Sequence, residues 1–262
     1  MTGRSGIIAR MTLPHDELGS GPAVVLLHAG VADRTMWAEH LQPLAAAGLR
    51  AVAIDLPGFG EAPAARVVQA PWDDVLATMD ALAIERASLV GNSFGAAVAL
   101  SVAATARERV DALALISAPA PGMEPSAELL AAWEAEEAAL QRGDVDGAVE
   151  AVLDAWTLPA GPPEVRDRLA AMQRRAFAVQ AAAGPVPDAP DPAEAPQALA
   201  SLTAPALVAV GEHDMRDFHD SAEALARALP HARRTVVEGA GHLAPLERPE
   251  AFRALLLDFL RS

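Results

Sequence analysis

The chain contains no cysteine, so neither a disulfide nor a thiolate metal ligand can contribute to it, and a cytoplasmic setting is expected. No apolar run approaches the length that spans a bilayer, which excludes a transmembrane helix as an expectation. The N-terminal stretch MTGRSGIIARMTLPHDEL lacks a sustained apolar centre and a small-residue cleavage site, and so does not read as a secretion signal. Basic residues are few beside acidic ones, 20 against 35, for a formal net charge of −15. Such a field repels phosphate backbones and speaks against a nucleic-acid partner. The nearest approach to a basic cluster, Arg166, Arg168, Arg174 and Arg175, reads as the solvated face of a helix. No internal repeat is visible, and no residue pattern calls for a metal or an organic cofactor.

What is present is apolar mass arranged in an alternating rhythm. About half of the 262 residues are hydrophobic (52%), enough for a sizeable core in one large domain. Short apolar runs suited to buried strands occur at Ala23 to His28, Arg50 to Ile54, Ala87 to Val90 and Val110 to Ile116. Between them lie helical patterns at Thr35 to Ala47, Pro71 to Ala83 and from Ser93 or Phe94 to Ala106, the first ending on Gly48 and the second opening on a proline. This β-α-β-α order predicts an α/β fold, a mostly parallel central sheet with helices on both faces.

The rhythm then breaks. From residue 120 to 196 no strand pattern appears. Three amphipathic helical stretches take its place, carrying Leu129, Trp133 and Leu140, then Val145, Val149, Val152, Leu153 and Trp156, then Val165, Leu169, Met172, Ala176 and Val179. The proline-rich stretch GPVPDAPDPAEAP closes the segment. Strands at Ala206 to Val210 and Arg234 to Val237 and helices at Ala222 to Leu229 and Pro249 to Leu260 resume the alternation. The expected organisation is a core of residues 1–119 and 197–262 interrupted by a helical insertion, 120–196.

The chemistry centres on Ser93 in GNSFG, between a strand and a helix. A serine hydroxyl is a weak nucleophile that needs a base, an acid to orient the base, and N–H donors for an oxyanion. His242 follows a strand and a glycine-rich turn, at the strand end where open α/β sheets place their sites. His28 ends a strand and is expected to shape the next loop by hydrogen bonding. His15, His40, His213, His219 and His231 suit surface or structural positions. Asp214 follows the strand ending at Val210 and is the favoured acid over its neighbours Asp217 and Asp220. The alternative position after Ile116 reads Ser117-Ala118-Pro119 and has no carboxylate. Oxyanion donors are expected from the N–H of Phe94, at a helix start, and of Gly30, in the loop after the first apolar strand.

The order Ser, Asp, His, with LLHAGVADRTMW at 26–37, DLPGFG at 55–60, GNSFG at 91–95, VGEHD at 210–214 and GAGHLAPLERPEAF at 239–252, resembles the α/β-hydrolase superfamily over essentially the full length. The resemblance implies Ser93 as nucleophile, Asp214 as acid, His242 as base, Gly30 and Phe94 as oxyanion donors, and the insertion as a helical cap. Ala29 stands where the family more often has glycine. GNSFG is similar to the hydrolases that cleave C–C bonds of ring-fission products, but Leu243 stands where those usually carry an aromatic residue. The insertion and its approaches offer Trp133, Trp156, Met123, Met172 and Phe177 as pocket lining, positions that also suit packing of the insertion on itself. The leading expectation is a cofactor-free serine hydrolase acting on an ester or lactone of a small to medium, largely apolar molecule. C–C hydrolysis of a diketone-like substrate, acyl transfer, and a non-catalytic ligand-binding role are the alternatives.

Overall fold

A computed structural model of the chain describes residues 12–261 other than 66, 160 and 196. The N-terminal segment read against a secretion signal lies largely outside these residues, as does residue 196, the expected end of the insertion.

The described chain forms one seven-stranded sheet, in the order β1-β3-β2-β4-β5-β6-β7. The strands are β1 (His15–Leu18), β2 (Ala23–Leu27), β3 (Arg50–Ile54), β4 (Ala87–Asn92), β5 (Val110–Ile116), β6 (Ala206–Gly211) and β7 (Ala232–Val237). All neighbours pair in parallel except β1, which lies antiparallel on β3 at the edge. β2 and β6 are buried at every residue, which in a parallel sheet requires cover on both faces. The cover comes from α1 (Ala38–Ala46), α2 (Pro71–Ala81), α3 (Phe94–Thr105), α7 (Arg216–Ala228) and α9 (Pro249–Leu260), with α2 against α3, α1 against α9, and α7 on β6 and β7.

The apolar runs forecast the parallel strands to within two residues, β4 being longer by Gly91 and Asn92 and β7 starting at Ala232 instead of Arg234. β1, HDEL, carries no apolar signal and was not expected; it is held by backbone pairing to β3. The segment expected as one helix from Thr35 is a 3₁₀ turn, Arg34–Trp37, started by the Asp33 side chain accepting from the Thr35 N–H, and then α1. α7 begins six residues before the expected Ala222, and a short helix α8 (Ala244–Glu247) follows His242.

Between β5 and β6 the chain runs through α4 (Ala127–Gln141), α5 (Val145–Trp156) and α6 (Pro163–Ala183), α5 packing on both others. Ser126 and Asp144 cap α4 and α5 with side-chain oxygens. On α5 the buried stripe is Ala148, Val149, Val152, Leu153 and Trp156, while Val145 is exposed. The arginines read as a solvated face do keep solvent exposure, but two of them also reach across to the core. Arg175 of α6 donates to the buried carboxylate of Asp33 at 2.7 Å, and Arg168 reaches Glu39 at 2.6 Å and the Thr35 carbonyl at 3.1 Å. These two tie the insertion to the core, whereas Arg166 and Arg174 pair with acids of α5. A sequence pattern locates charge but not the partner across the chain.

Candidate active site

The sheet order reverses between β2 and β4. The chain steps outward from β2 to β3 and returns to place β4 on the other side of β2. Ligands of open α/β sheets bind beside such a reversal, at the carboxyl ends of the strands. The two loops that leave there carry Gly30 and Ser93.

Ser93 has φ 52° and ψ −115°, a left-handed backbone that a non-glycine residue rarely adopts. Its own N–H donates to the Ile116 carbonyl at 2.8 Å, which helps hold the turn. The flanking glycines make the turn possible. A Cβ on Gly91 would lie 2.3 Å from the Gly95 carbonyl oxygen, and one on Gly95 would lie 2.3 Å from that of Leu27. Gly30 sits against Phe94, since a Cβ on it would lie 3.3 Å from the Phe94 Cβ. Among the described residues no backbone acceptor meets the N–H of Gly30 or of Phe94. The Phe94 N–H is one of the unpaired donors at the start of α3.

His242 lies in the loop between β7 and α8, nearly buried, and its Nδ1 is 2.9 Å from Asp214 Oδ1. A carboxylate only accepts, so Nδ1 carries a proton, and in the neutral ring Nε2 is the nitrogen with the free lone pair. Asp214 Oδ1 also accepts from the Met215 N–H at 2.9 Å. Trp156 of α5 and Phe218 of α7 hold the imidazole between them, with ring centroids at 4.5 and 4.3 Å. Asp217 points elsewhere: its carboxylate takes the N–H and the hydroxyl of Ser126, at 2.7 and 2.8 Å, and those bonds hold its pKa low against the opposing effect of burial. Asp220 pairs with Arg216.

Ser93 and His242 face one cavity of about 490 Å³, lined also by Gly30, Phe94, Trp133 and Trp156. Met123 lines it as well, together with residues not anticipated from sequence, among them Phe218 and Glu136. Met172 and Phe177 do not line it. Both are buried by the inward stripe of α6, which packs instead of facing the cavity. No hydrogen bond joins Ser93 Oγ to His242 among the described residues; such contacts commonly tighten only around bound substrate.

Three further residues hold His242 in place. Asn92, which no sequence pattern explained, donates from Nδ2 to the carbonyls of Ile116 at 3.2 Å and His242 at 3.1 Å, fastening the His242 loop to the sheet. Glu247 accepts from the Gly241 N–H at 2.7 Å and from the Leu158 N–H at 3.2 Å, so one carboxylate links this loop to the insertion; burial pushes its pKa up. His40 donates from Nε2 to the Pro245 carbonyl at 3.0 Å. The only sequence signal for these was position, a polar residue beside a motif. His28 bonds the Ala29 carbonyl through Nδ1 at 2.8 Å and accepts the Leu56 N–H through Nε2 at 2.9 Å, the loop-shaping role expected of it. Among the described residues no group of three His, Asp or Glu side chains could hold a metal, and no helix is long and apolar enough to cross a membrane.

Comparison with known proteins agrees with this architecture. A family model for the alpha/beta hydrolase fold matches residues 22–249. A 2-hydroxy-6-oxononadienedioate/2-hydroxy-6-oxononatrienedioate hydrolase of Pseudomonas putida is 29% identical, over 96% of this chain and 92% of its own. A solved thermophilic esterase of Thermogutta terrifontis superposes with a TM-score of 0.77 at 28% identity, covering 95% of this chain and 93% of the other. A solved N-acyl homoserine lactone degrading enzyme gives a TM-score of 0.75 at 27% identity, covering 94% and 96%. The chain belongs to the alpha/beta hydrolase fold family, and is an enzyme of that family.

Proposed function

We propose that this chain is a serine hydrolase that cleaves an ester or lactone of a small to medium, largely apolar molecule through a covalent acyl-enzyme. The observation that carries the reading is His242, 2.9 Å from Asp214, facing the same cavity as the strained Ser93 turn. His242 Nε2 takes the proton from Ser93 Oγ as the oxygen attacks the substrate carbonyl. Asp214 stabilises the imidazolium that forms. The N–H groups of Gly30 and Phe94 receive the oxyanion, and the dipole of α3 adds to them. His242 returns the proton to the leaving oxygen, then activates the water that frees Ser93. Residues 120–196 act as a cap: Trp133 and Trp156 wall the cavity and shield the acyl-enzyme from bulk water.

The relatives support the breadth of this reading, being named as an esterase, an N-acyl homoserine lactone degrading enzyme and a 2-hydroxy-6-oxononadienedioate/2-hydroxy-6-oxononatrienedioate hydrolase. C–C hydrolysis stands second. The Pseudomonas putida relative is named for a dienedioate, a dicarboxylate, whereas the described lining of this cavity carries Glu136 and no arginine. The test is turnover of short and medium p-nitrophenyl esters and of simple lactones, with a fluorophosphonate probe, by wild type and Ser93→Ala. Ester or lactone turnover and labelling that both depend on Ser93 are expected. Labelling without such turnover would move the assignment to the C–C reading, and absence of both would leave a ligand-binding member of the fold.

A further inference from the structure

On α4 the positions 129, 133, 136 and 140 fall on one helix face, at i, i+4, i+7 and i+11, and read Leu, Trp, Glu and Leu. A charge interrupts an otherwise apolar stripe. Trp133 and Glu136 of that stripe both line the cavity that holds Ser93 and His242. Among the described residues no hydrogen bond and no ion pair reaches the Glu136 carboxylate, whereas its neighbour Glu137 accepts from Gln141 on the solvent side. The described lining includes one other titratable group, His242, and its Nδ1 is committed to Asp214. The rest is apolar side chains, glycine and the Ser93 hydroxyl. Glu136 is half-buried there, and loss of solvent pushes its pKa up, so its ionised form lacks a compensating partner in the free protein. A partly desolvated carboxylate gains from a partner, and Glu136 lies on the lining of the cavity that holds Ser93 and His242.

We propose that Glu136 is a specificity-determining residue that selects substrates whose tail carries a cationic or N–H donor group and turns away those whose tail ends in a carboxylate. This rests on the reading of the cavity as a hydrolase site. The partner missing from the free protein is supplied by the bound molecule, while a second carboxylate in the same low-dielectric volume is repelled.

The test separates recognition from turnover. Matched p-nitrophenyl esters of one chain length, with the acyl tail ending in a methyl, a trimethylammonium or a carboxylate group, are titrated calorimetrically into Ser93→Ala, which leaves them intact. A mirror series carries the same three ends on the alcohol. In one series the cationic ester is expected to bind at least about 10-fold more tightly than the anionic one. Adding Glu136→Gln should bring that ratio to within about 2-fold, and Glu136→Arg should invert it. Each ratio is taken within one variant, so a general loss of folding or affinity cancels. A ratio unchanged by Glu136→Gln, or the absence of any charge preference in both series, overturns the proposal. Turnover of the methyl-ended esters by the Ser93-containing protein, measured alongside, tests the hydrolase reading by itself.

Discussion

Removing the Asn92 side chain should loosen His242 without touching the reacting groups. Asn92 Nδ2 spans two carbonyls, of Ile116 at 3.2 Å and His242 at 3.1 Å. In Asn92→Ala the Ile116 carbonyl keeps the Ser93 N–H at 2.8 Å, so little is lost on that side. The His242 carbonyl loses a partner in a buried setting, which costs about 1–3 kcal/mol. With a net loss of about 1 kcal/mol for the other bond, the expected destabilisation is about 2–4 kcal/mol. That corresponds to a fall in Tm of about 4–16 °C for a protein of this size. The loop stays attached through Glu247 to Gly241 and His40 to Pro245, so the fold survives. The imidazole is then free to shift relative to Ser93, and misplacement on the ångström scale costs about 10²-fold in kcat. Asn92→Asp should be worse, because it sets a carboxylate against two carbonyl oxygens. The assays are ester turnover with kcat and KM resolved, and thermal unfolding. Asn92→Ala with unchanged kcat and Tm would refute the argument that this side chain positions His242.

Other consequences are as direct. Asp214→Asn should lower kcat by about 10³–10⁴, whereas Asp217→Asn should leave kcat within about 3-fold and lower Tm through its lost Ser126 bonds; the reverse pattern in a kinetic comparison would reassign the acid. Gly95→Ala places a Cβ 2.3 Å from the Leu27 carbonyl oxygen and should cost about 3 kcal/mol or more. Gly143→Ala meets open space and only the strain of φ +71°, about 1 kcal/mol, a contrast that urea unfolding resolves. Burial pushes the His40 pKa from 6.5 down to about 4, and its buried Nδ1 has no partner to receive a new proton. The unfolded chain therefore binds the extra proton between those values, so stability is lost as pH falls from 6.5 towards 4. The loss from this group is about 2 kcal/mol between pH 7 and pH 5. His40→Gln should flatten that part of the urea-unfolding profile, and an equal slope in both proteins would contradict it.

The strands that were legible in the sequence are those buried on both faces, where a run such as AVVLL or ALVAV suits little else. β1 was invisible because an edge strand can be polar and is defined by its partner. The candidates Ser93, Asp214 and His242 stand out in the sequence because each sits past a strand end in a motif whose glycines have steric work, and the structure sets Asp214 and His242 2.9 Å apart. The lining was half legible. Helical spacing put Trp133, Trp156 and Met172 on inward stripes alike, and periodicity does not say whether an inward stripe meets the cavity or the core. Asn92 and Glu247 were opaque for another reason: their partners are backbone groups of His242, Gly241 and Leu158, which carry no side-chain signature. Glu136 carries a sequence signal of its own, a charge at an apolar position of its stripe.

The central claim is that Ser93 becomes covalently acylated during turnover. Intact and peptide mass spectrometry of protein quenched within the first turnovers of a p-nitrophenyl ester tests it most directly. The account predicts one acyl mass added to the peptide that contains Ser93 and absent from Ser93→Ala. An acyl group on any other residue, or hydrolysis that continues at the wild-type rate in Ser93→Ala with no adduct, would contradict it.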